Sequence, residues 1–384
     1  MTKQKGKQVQ SEIGGRVLNI LSGLFATASI AFSERYNAQY GILEFVTILS
    51  QMARFRISSE EAVRQVDISK KMPTAKWFRD KLHSITPNDA MMLCDEMLNH
   101  TMKHIYKKYR NKSVLVAIDK HLIPRHDKSN MEYLIRSKAD EGTHKFESYS
   151  TLQIVDGPAN AVLCCMRELK ESIDANFVRR FTRILKENKI RARLILLDRE
   201  FYSVDVMEAV LQSKNKFLMP AIKNSTTKKA ILEYHAGTRE TASKHTITNK
   251  FQRSMSFTLI ITKSKKHGDP KVNITEWYHA FATNLTMGRA LKEITTLPEE
   301  YRKRWGIETG YRQIEEIRPR TTSRDDVFRM MLFYTALLFY NLWTVERQEY
   351  TSYGMLTLKL MVSLSAMIGI GKLIEFPYDP GGYG

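Results

Sequence analysis

The spacing of apolar residues changes twice along the chain. Up to about residue 110 they recur at three- and four-residue intervals, the spacing of amphipathic helices. One such segment runs from about Ile13 to Phe32 and a second from Ile42 to Ala53. Ser58 to Glu61 has the capping-box pattern S-x-x-E, which opens a short helix, and Thr74 begins another over TAKWFRDKLHSI. Thr86-Pro87 opens a longer helix reaching about Tyr109, with proline where a first turn tolerates it.

The period then shortens. Ser113 to Ile118, SVLVAI, is a β-branched apolar run that predicts a buried strand ending at Asp119. Glu147–Val155 and Ala161–Met166 predict two more strands, with the turn Asp156-Gly157-Pro158-Ala159-Asn160 between them. A basic amphipathic helix follows over Ser172–Asn188, and then a buried strand, Arg193–Leu197, ending at Asp198. Ser203–Ser213 reads as a helix and Lys216–Pro220 as a strand. Strand pairs followed by strand–helix alternation predict an α/β fold, a mixed sheet with helices on its faces.

The second change comes at Lys223. From there to Lys271 the chain holds 11 Lys and Arg against 3 acidic residues, with strand-like runs at Phe257–Thr262 and Ile274–Thr283. This reads as a β-rich insertion with a basic surface. Helical spacing returns at Met287–Thr295 and continues through Tyr301–Arg318. Met330–Val345 is apolar but only 16 residues long. That is short of the roughly 20 a membrane span needs, so a buried core helix is expected. The implied organisation is a helical N-terminal domain over 1–110 that could bind DNA and a catalytic core in two parts, 111–222 and 291–384. The β-rich basic insertion lies between them at 223–290.

Charge narrows the function. Lys and Arg number 60 against 41 Asp and Glu, a net charge of +19. Such an excess favours a polyanionic partner, nucleic acid before an acidic membrane surface, over a small neutral metabolite. A hydrophobic fraction of 43% suffices for a sizeable core. The three cysteines, Cys94, Cys164 and Cys165, are odd in number and form no C-x-x-C. They argue against a disulfide framework or structural zinc and fit a reducing compartment. No secretory signal is apparent, so a cytoplasmic, nucleoid-associated protein is expected.

Asp119 and Asp198 each follow a buried apolar strand directly, where ligands of open α/β sheets bind. The third candidate lies in YRKRWGIETGYRQIEEIR, residues 301–318. On one continuous helix, Tyr301, Arg304, Glu308 and Arg312 fall at i, i+3, i+7 and i+11 and share a face. A carboxylate, two guanidiniums and a phenol aimed together suit a metal ion beside a phosphate. Carboxylate oxygens are hard ligands for Mg²⁺ or Mn²⁺. Asp119, Asp198 and Glu308 around two such ions could drive in-line displacement at phosphorus, with Arg304 and Arg312 clamping the phosphate. Nearby, His121 reads as a structural loop histidine and Glu200 as a helix-entry residue. Trp305 reads as a core anchor rather than a base-stacking platform, and Tyr202 is open to either role.

These residues resemble a known family. IDKH after one strand, LLDREFYS after a second, and Y-x-x-R-x-x-x-E within YRKRWGIE are similar to the DDE transposases of prokaryotic insertion sequences. The subgroup resembled is the one with a Tyr-Arg-Glu-Lys signature, within the ribonuclease-H-like, retroviral-integrase superfamily. The resemblance covers roughly Val114–Val345. It implies a ribonuclease-H-like core with a β-rich insertion between the second Asp and the Glu. Asp119, Asp198 and Glu308 would be the metal-binding catalytic triad, and Tyr301 and Arg304 phosphate contacts. It also implies double-stranded DNA partners, the terminal inverted repeats and a target, with a homodimer in the synaptic complex and no membrane. The signature's lysine position holds Glu315 here, and Arg312 or Arg318 could supply that charge. A metal-dependent nuclease without strand transfer and an inactive DNA-binding derivative remain open from the residues alone.

Overall fold

The computed structural model describes residues 3–27, 40–66, 72–126, 133–156, 160–349 and 356–375. The helices are α1 (Lys3–Thr27), α2 (Ile42–Phe55), α3 (Ser59–Val66), α4 (Ala75–His83) and α5 (Pro87–Tyr109). After the first strands come α6 (Asp174–Glu187), α7 (Val204–Gln212), α8 (Ser225–His235), α9 (Met287–Lys292) and α10 (Leu297–Arg302). The chain then forms α11 (Trp305–Ile317), α12 (Asp326–Glu349) and α13 (Leu358–Glu375). The strands are β1 (Ser113–Pro124), β2 (Ile135–Asp140), β3 (Thr143–Ile154), β4 (Val162–Glu168) and β5 (Arg191–Leu197). They continue with β6 (Phe217–Pro220), β7 (Ala242–Thr248), β8 (Ser254–Lys263) and β9 (Tyr278–Thr283). The chain divides into two compact units, residues 1–105 with 309–384, and residues 106–308.

The first unit is helical. The sequence signals for its helix starts hold: Thr74 Oγ1 accepts from Trp77 N at 3.1 Å, and Thr86 Oγ1 from Asp89 N at 3.2 Å. The expected extension of the first helix to Phe32 falls outside the described residues. Apolar α13 packs on both α1 and α2, and two glycines permit this closeness. A Cβ at Gly14 would lie 2.7 Å from Leu364 Cβ, and one at Gly369 would lie 2.4 Å from Thr47 Oγ1. The apolar stretch over 330–345 is the middle of α12 and is largely buried within this unit. No helix among the described residues is long and apolar enough to cross a membrane.

The second unit is built on one sheet of nine strands, ordered β2-β3-β1-β5-β6-β9-β8-β7, with β4 also on β3. Within it, β4-β3-β1-β5-β6 has antiparallel pairs on one side of β1 and parallel pairs, β1 with β5 and β5 with β6, on the other. This is the mixed α/β sheet that the alternation predicts, and it is consistent with the ribonuclease-H-like core that the resemblance implies. Near-continuous runs such as Val114–Ile118 and Leu194–Leu197 are buried, as a sheet covered on both faces requires. α6 packs on β4, β5 and α7, whereas α10 lies against β6.

Three local expectations are corrected. β1 runs to Pro124 rather than ending at Asp119. Its parallel pairing with β5 stops at Ile118↔Leu197, while antiparallel pairing with β3 continues through Asp119↔Thr151. The basic stretch contains helix α8, capped by Asn224, whose side chain accepts from Thr227 N. Residues 274–277 form a 3₁₀ turn rather than strand, with Asn273 as its cap. Strands β7, β8 and β9 extend the core sheet through the β6–β9 pairing.

The close α2–α13 crossing makes Gly369 sensitive to one methyl. Gly369→Ala should lower stability in denaturant unfolding by about 1–3 kcal/mol, the usual cost of overpacking. Thr47 Oγ1 has no hydrogen-bond partner among the described residues, so Thr47→Ala in the same chain should recover part of that loss. A neutral Gly369→Ala would mean the helices have room that the geometry denies.

Candidate active site

The second unit brings three carboxylates to one guanidinium. Arg304 Nη1 donates to Asp119 Oδ2 at 2.5 Å, and Arg304 Nη2 to Glu308 Oε1 at 2.7 Å. The same Nη2 lies 3.8 Å from Asp198 Oδ1. Asp119 sits where β1 and β5 part, and Asp198 at the end of β5, capping the 3₁₀ turn Arg199–Phe201. The side chains run from shielded to open: Asp119 is 13% exposed, Asp198 34% and Glu308 50%. The site is therefore a cleft with a buried floor and an accessible rim.

The 301–318 stretch is not one helix. Residues 303–304 form a turn between α10 and α11. Arg304 N bonds Tyr301 O and Ile307 N bonds Arg304 O, both i−3 pairings that tighten the chain into a 3₁₀-like break. Tyr301 thus lies in the last turn of α10, Glu308 in the first turn of α11, and Arg304 stands between them with its side chain turned inward. The Arg304 guanidinium is 5.8 Å from the Tyr301 ring centre, and that ring packs on Phe281 at 5.4 Å.

Electrostatics follow from the burial. Desolvation is the largest influence on Asp119 and raises its pKa to about 7. The Arg304 charge opposes that rise, while Asp198 and Glu308 add to it. Burial also opposes charge on Arg304, but Asp119, Tyr301, Asp198 and Glu308 together hold it firmly protonated. Burial holds the Tyr301 hydroxyl neutral. Arg304 Nε is buried, and the guanidinium also meets the Tyr301 hydroxyl.

A set of outer contacts fixes these groups. Lys120 points to the opposite side of β1 from Asp119 and places Nζ 2.9 Å from Glu168 and 2.8 Å from Asp174, over the Phe201 ring. It thereby ties β4, the start of α6 and the turn after Asp198 to β1. Arg193 on β5 bonds Glu300 and, at 3.1 Å, Asp156, so it anchors α10. Asn160 Nδ2 donates to Gly306 O at 3.3 Å, and a Cβ at Gly306 would come within 2.9 Å of that nitrogen. Gly306 thus lets the entry to α11 approach the β3–β4 connection. Lys120 lies within the IDKH motif, but nothing in the sequence marks it, Arg193 or Asn160 as an anchor, since their partners lie up to 146 residues away.

Arg312, one turn after Glu308 in α11, is exposed and bonds Thr309 Oγ1 at 3.4 Å. Glu315, at the expected lysine position, accepts from Arg318 at 2.8 Å and lies 3.8 Å from Arg56. Trp305, expected in the core, is 64% exposed, because the tight turn directs Arg304 and Ile307 inward and leaves Trp305 outside. His121 shares the Asp119 side of β1 and is half-buried; Glu200 lies exposed in the 3₁₀ turn. Tyr202 is half-buried with its ring edge-on to Phe257 at 6.0 Å, a packing role.

The donor set suits a hard divalent cation, with carboxylate oxygens only, converging on a point where a cation already stands. That cation is the Arg304 guanidinium. Among the described residues, no group of three or more His, Cys, Asp or Glu side chains is close enough to hold a metal ion as it stands. The reason is physical: without a counter-charge between them, Asp119, Asp198 and Glu308 would repel one another.

The family model for the transposase DDE domain matches residues 110–342. The chain belongs to that family. The match contains the whole sheet, both aspartates and Glu308. Among solved structures, the chain is similar to a cryo-EM structure of the piggyBac transposase synaptic complex with hairpin DNA. The similarity has a TM-score of 0.57 and 11% identity, covering 97% of this DDE-family chain and 82% of that one. At that identity the likeness is one of fold, and it agrees with the ribonuclease-H-like sheet. A search of curated proteins finds no match.

In metal-free protein the Asp119 carboxyl should titrate near pH 7 in ¹³C NMR, far above its ordinary 3.8. Arg304→Gln should push it higher still, since the guanidinium charge is what restrains it. An acid with a raised folded pKa takes up a proton on folding. The Asp119 contribution to stability is therefore fully present below about pH 4 and is lost as the pH rises through about 7. A midpoint near 4, or a downward shift in Arg304→Gln, would contradict this site geometry.

Proposed function

We propose that this protein is a cut-and-paste DNA transposase of the Tyr-Arg-Glu-Lys subgroup, acting on the inverted-repeat ends of an insertion sequence. The observation that carries the proposal is the convergence of Asp119, Asp198 and Glu308 on Arg304 at the strand ends. Membership of the transposase DDE-domain family supports it, as does a net charge of +19.

In this reading Asp119, Asp198 and Glu308 are the catalytic residues and would hold two Mg²⁺ or Mn²⁺ ions. When bound, such ions supply Lewis acidity at the attacking and leaving oxygens of an in-line displacement. The residues of the chain do the rest. Asp119 and Asp198, on adjacent strands, and Glu308, on the facing helix, fix where the scissile phosphate sits. Arg304 holds the three carboxylates together and brings its positive charge beside the scissile phosphate. Tyr301, kept neutral by burial, can donate its hydroxyl proton to the same group. Arg312, exposed one turn past Glu308, contacts the flanking phosphate and takes over the role of the signature lysine. Glu315 is committed to Arg318 and Arg56 instead.

Water attacks first to nick one strand, and the freed 3′-hydroxyl attacks next. Pairing two element ends calls for a homodimer on double-stranded DNA, and the similar piggyBac structure is itself a synaptic complex with hairpin DNA. In the cell the protein would lie with the nucleoid. The β7–β9 region adds the sequence-independent contact. Lys263, Lys265, Lys266 and Lys271 have no acidic partner among the described residues, whereas Arg239 and Arg253 are paired to Glu233, Asp205 and Glu208.

Single substitutions Asp119→Ala, Asp198→Ala and Glu308→Ala should each abolish Mg²⁺-dependent cleavage of duplexes taken from the DNA flanking the gene. Gel-shift binding of those duplexes should persist. Full cleavage by any one of them would remove that residue from the site. Adding a target plasmid distinguishes a transposase, which joins ends to target, from a nuclease, which only cuts. Separately, Lys263→Ala/Lys265→Ala/Lys266→Ala should weaken duplex binding and flatten the slope of log K against log salt by about 0.9 for each phosphate no longer neutralised. An unchanged slope would make that face a solvated surface without a DNA role.

A further inference from the structure

The carboxylates stand at the carboxyl ends of β1 and β5. The opposite end of the same sheet, where β1, β5 and β6 begin, has its own cleft of 970 Å³. It lies between the C-terminal parts of α6 and α7 and the first residues of the strands. Six cations line it: Arg179, Arg183, Lys186, Lys189, Arg191 and Lys214. All six are exposed, and no Asp or Glu lines the cleft. The nearest acid in sequence, Glu187, lies 3.9 Å from Arg183. The carbonyl ends of α6 and α7 disfavour an anion here, but each helix end counts for only about half a charge, against six full ones.

Small-molecule pockets are mainly apolar with a few polar groups. This cleft instead spreads six long, solvated cations over its rim, and that pattern fits a chain of phosphates. From Ser113 to Asp119 the strand rises about 20 Å, at roughly 3.3 Å per residue. A duplex is stiff, with a persistence length of about 150 base pairs. A duplex that lies across the carboxylate end of the sheet, rather than along its strands, therefore cannot fold back within a few base pairs to the far end.

We infer that this cleft is a second DNA-binding surface, which holds a separate duplex segment through its backbone phosphates. The inference rests on the DNA-acting reading of the carboxylate site. It assigns each protomer two duplex contacts at opposite ends of one sheet. One is chemical and the other is for capture.

The test is Arg183→Gln/Lys186→Gln/Arg191→Gln in the full-length protein. Lys189 and Lys214 are left in place because their backbones are left-handed, at φ 55° and 59°. An unchanged melting temperature establishes that the variant is folded. The slope of log K against log salt for a 30-base-pair random duplex should then fall by about 2–3, near 0.9 for each phosphate no longer neutralised. The number of such duplexes bound per protomer should fall by one. Mg²⁺-dependent cleavage of end duplexes should match the wild type, since these side chains are far from the carboxylates. An unchanged slope with unchanged stoichiometry overturns the second surface and leaves the transposase reading standing. Failure of the wild type to cleave sinks that reading, while the salt slope still reports on the cleft. Loss of binding to phosphatidylserine vesicles with duplex binding intact would overturn the inference in favour of a membrane surface.

Discussion

Like charges gathered behind a sheet repel one another most where water is least able to screen them. Asp119 is nearly shielded from solvent, and Asp198 and Glu308 stand close enough to raise its pKa further. The fold tolerates this because Arg304 lies between all three, within 2.5, 2.7 and 3.8 Å of their oxygens. A buried carboxylate without a partner costs several kcal/mol, whereas a hydrogen-bonded guanidinium offsets most of that.

Arg304 can stand there only because the chain breaks beside it. Had 301–318 formed one helix, Arg304 and Glu308 would have shared its surface as an ordinary i, i+4 pair, worth a few tenths of a kcal/mol. The turn at 303–304 rotates the guanidinium toward β1 and β5 instead. That turn is braced from outside by Arg193 on Glu300 before it and by Asn160 on Gly306 after it. Lys120 does the same on the other side of β1, between Glu168 and Asp174. The site is therefore over-determined by three polar anchors, none of which belongs to it.

Much of this was legible in the sequence. The apolar runs 114–118 and 194–197 marked two buried strands, each followed by an aspartate, and only the structure shows that they pair. The Tyr301–Glu308 spacing pointed to the third carboxylate. What periodicity could not reveal was the break at Arg304, because 3₁₀ and α-helical turns leave nearly the same residue pattern over four positions. The expectation that Trp305 anchors the core rested on the usual burial of a large aromatic, and the turn leaves it 64% exposed instead. Helix α8 was missed because its composition, STTKKAILEYH, is basic and poor in apolar residues, and its start depends on the Asn224 cap. Lys120 lies within the IDKH motif, yet nothing local marks it, Arg193 or Asn160 as an anchor, since a polar contact across the fold does not constrain neighbouring residues.

The sheet has a chemical polarity that its strand directions explain. Parallel β1, β5 and β6 all point their carboxyl ends one way, so the loops and side chains beyond them can gather at a common site. The same geometry gathers whatever precedes the strands at the other end. Here that is the helix-to-strand connections, at Asn188–Ile190 and Ser213–Lys216, which carry Lys189 and Lys214 beside Arg191. Both of these lysines occupy left-handed backbone positions, where glycine or asparagine is the ordinary choice. Both follow helix C-termini, where a cation gains about 0.3–1 kcal/mol from the carbonyl ends of α6 and α7. The helix ends thus account for Lys186, Lys189 and Lys214 at this end of the sheet, and not for the exposed Arg179 and Arg191.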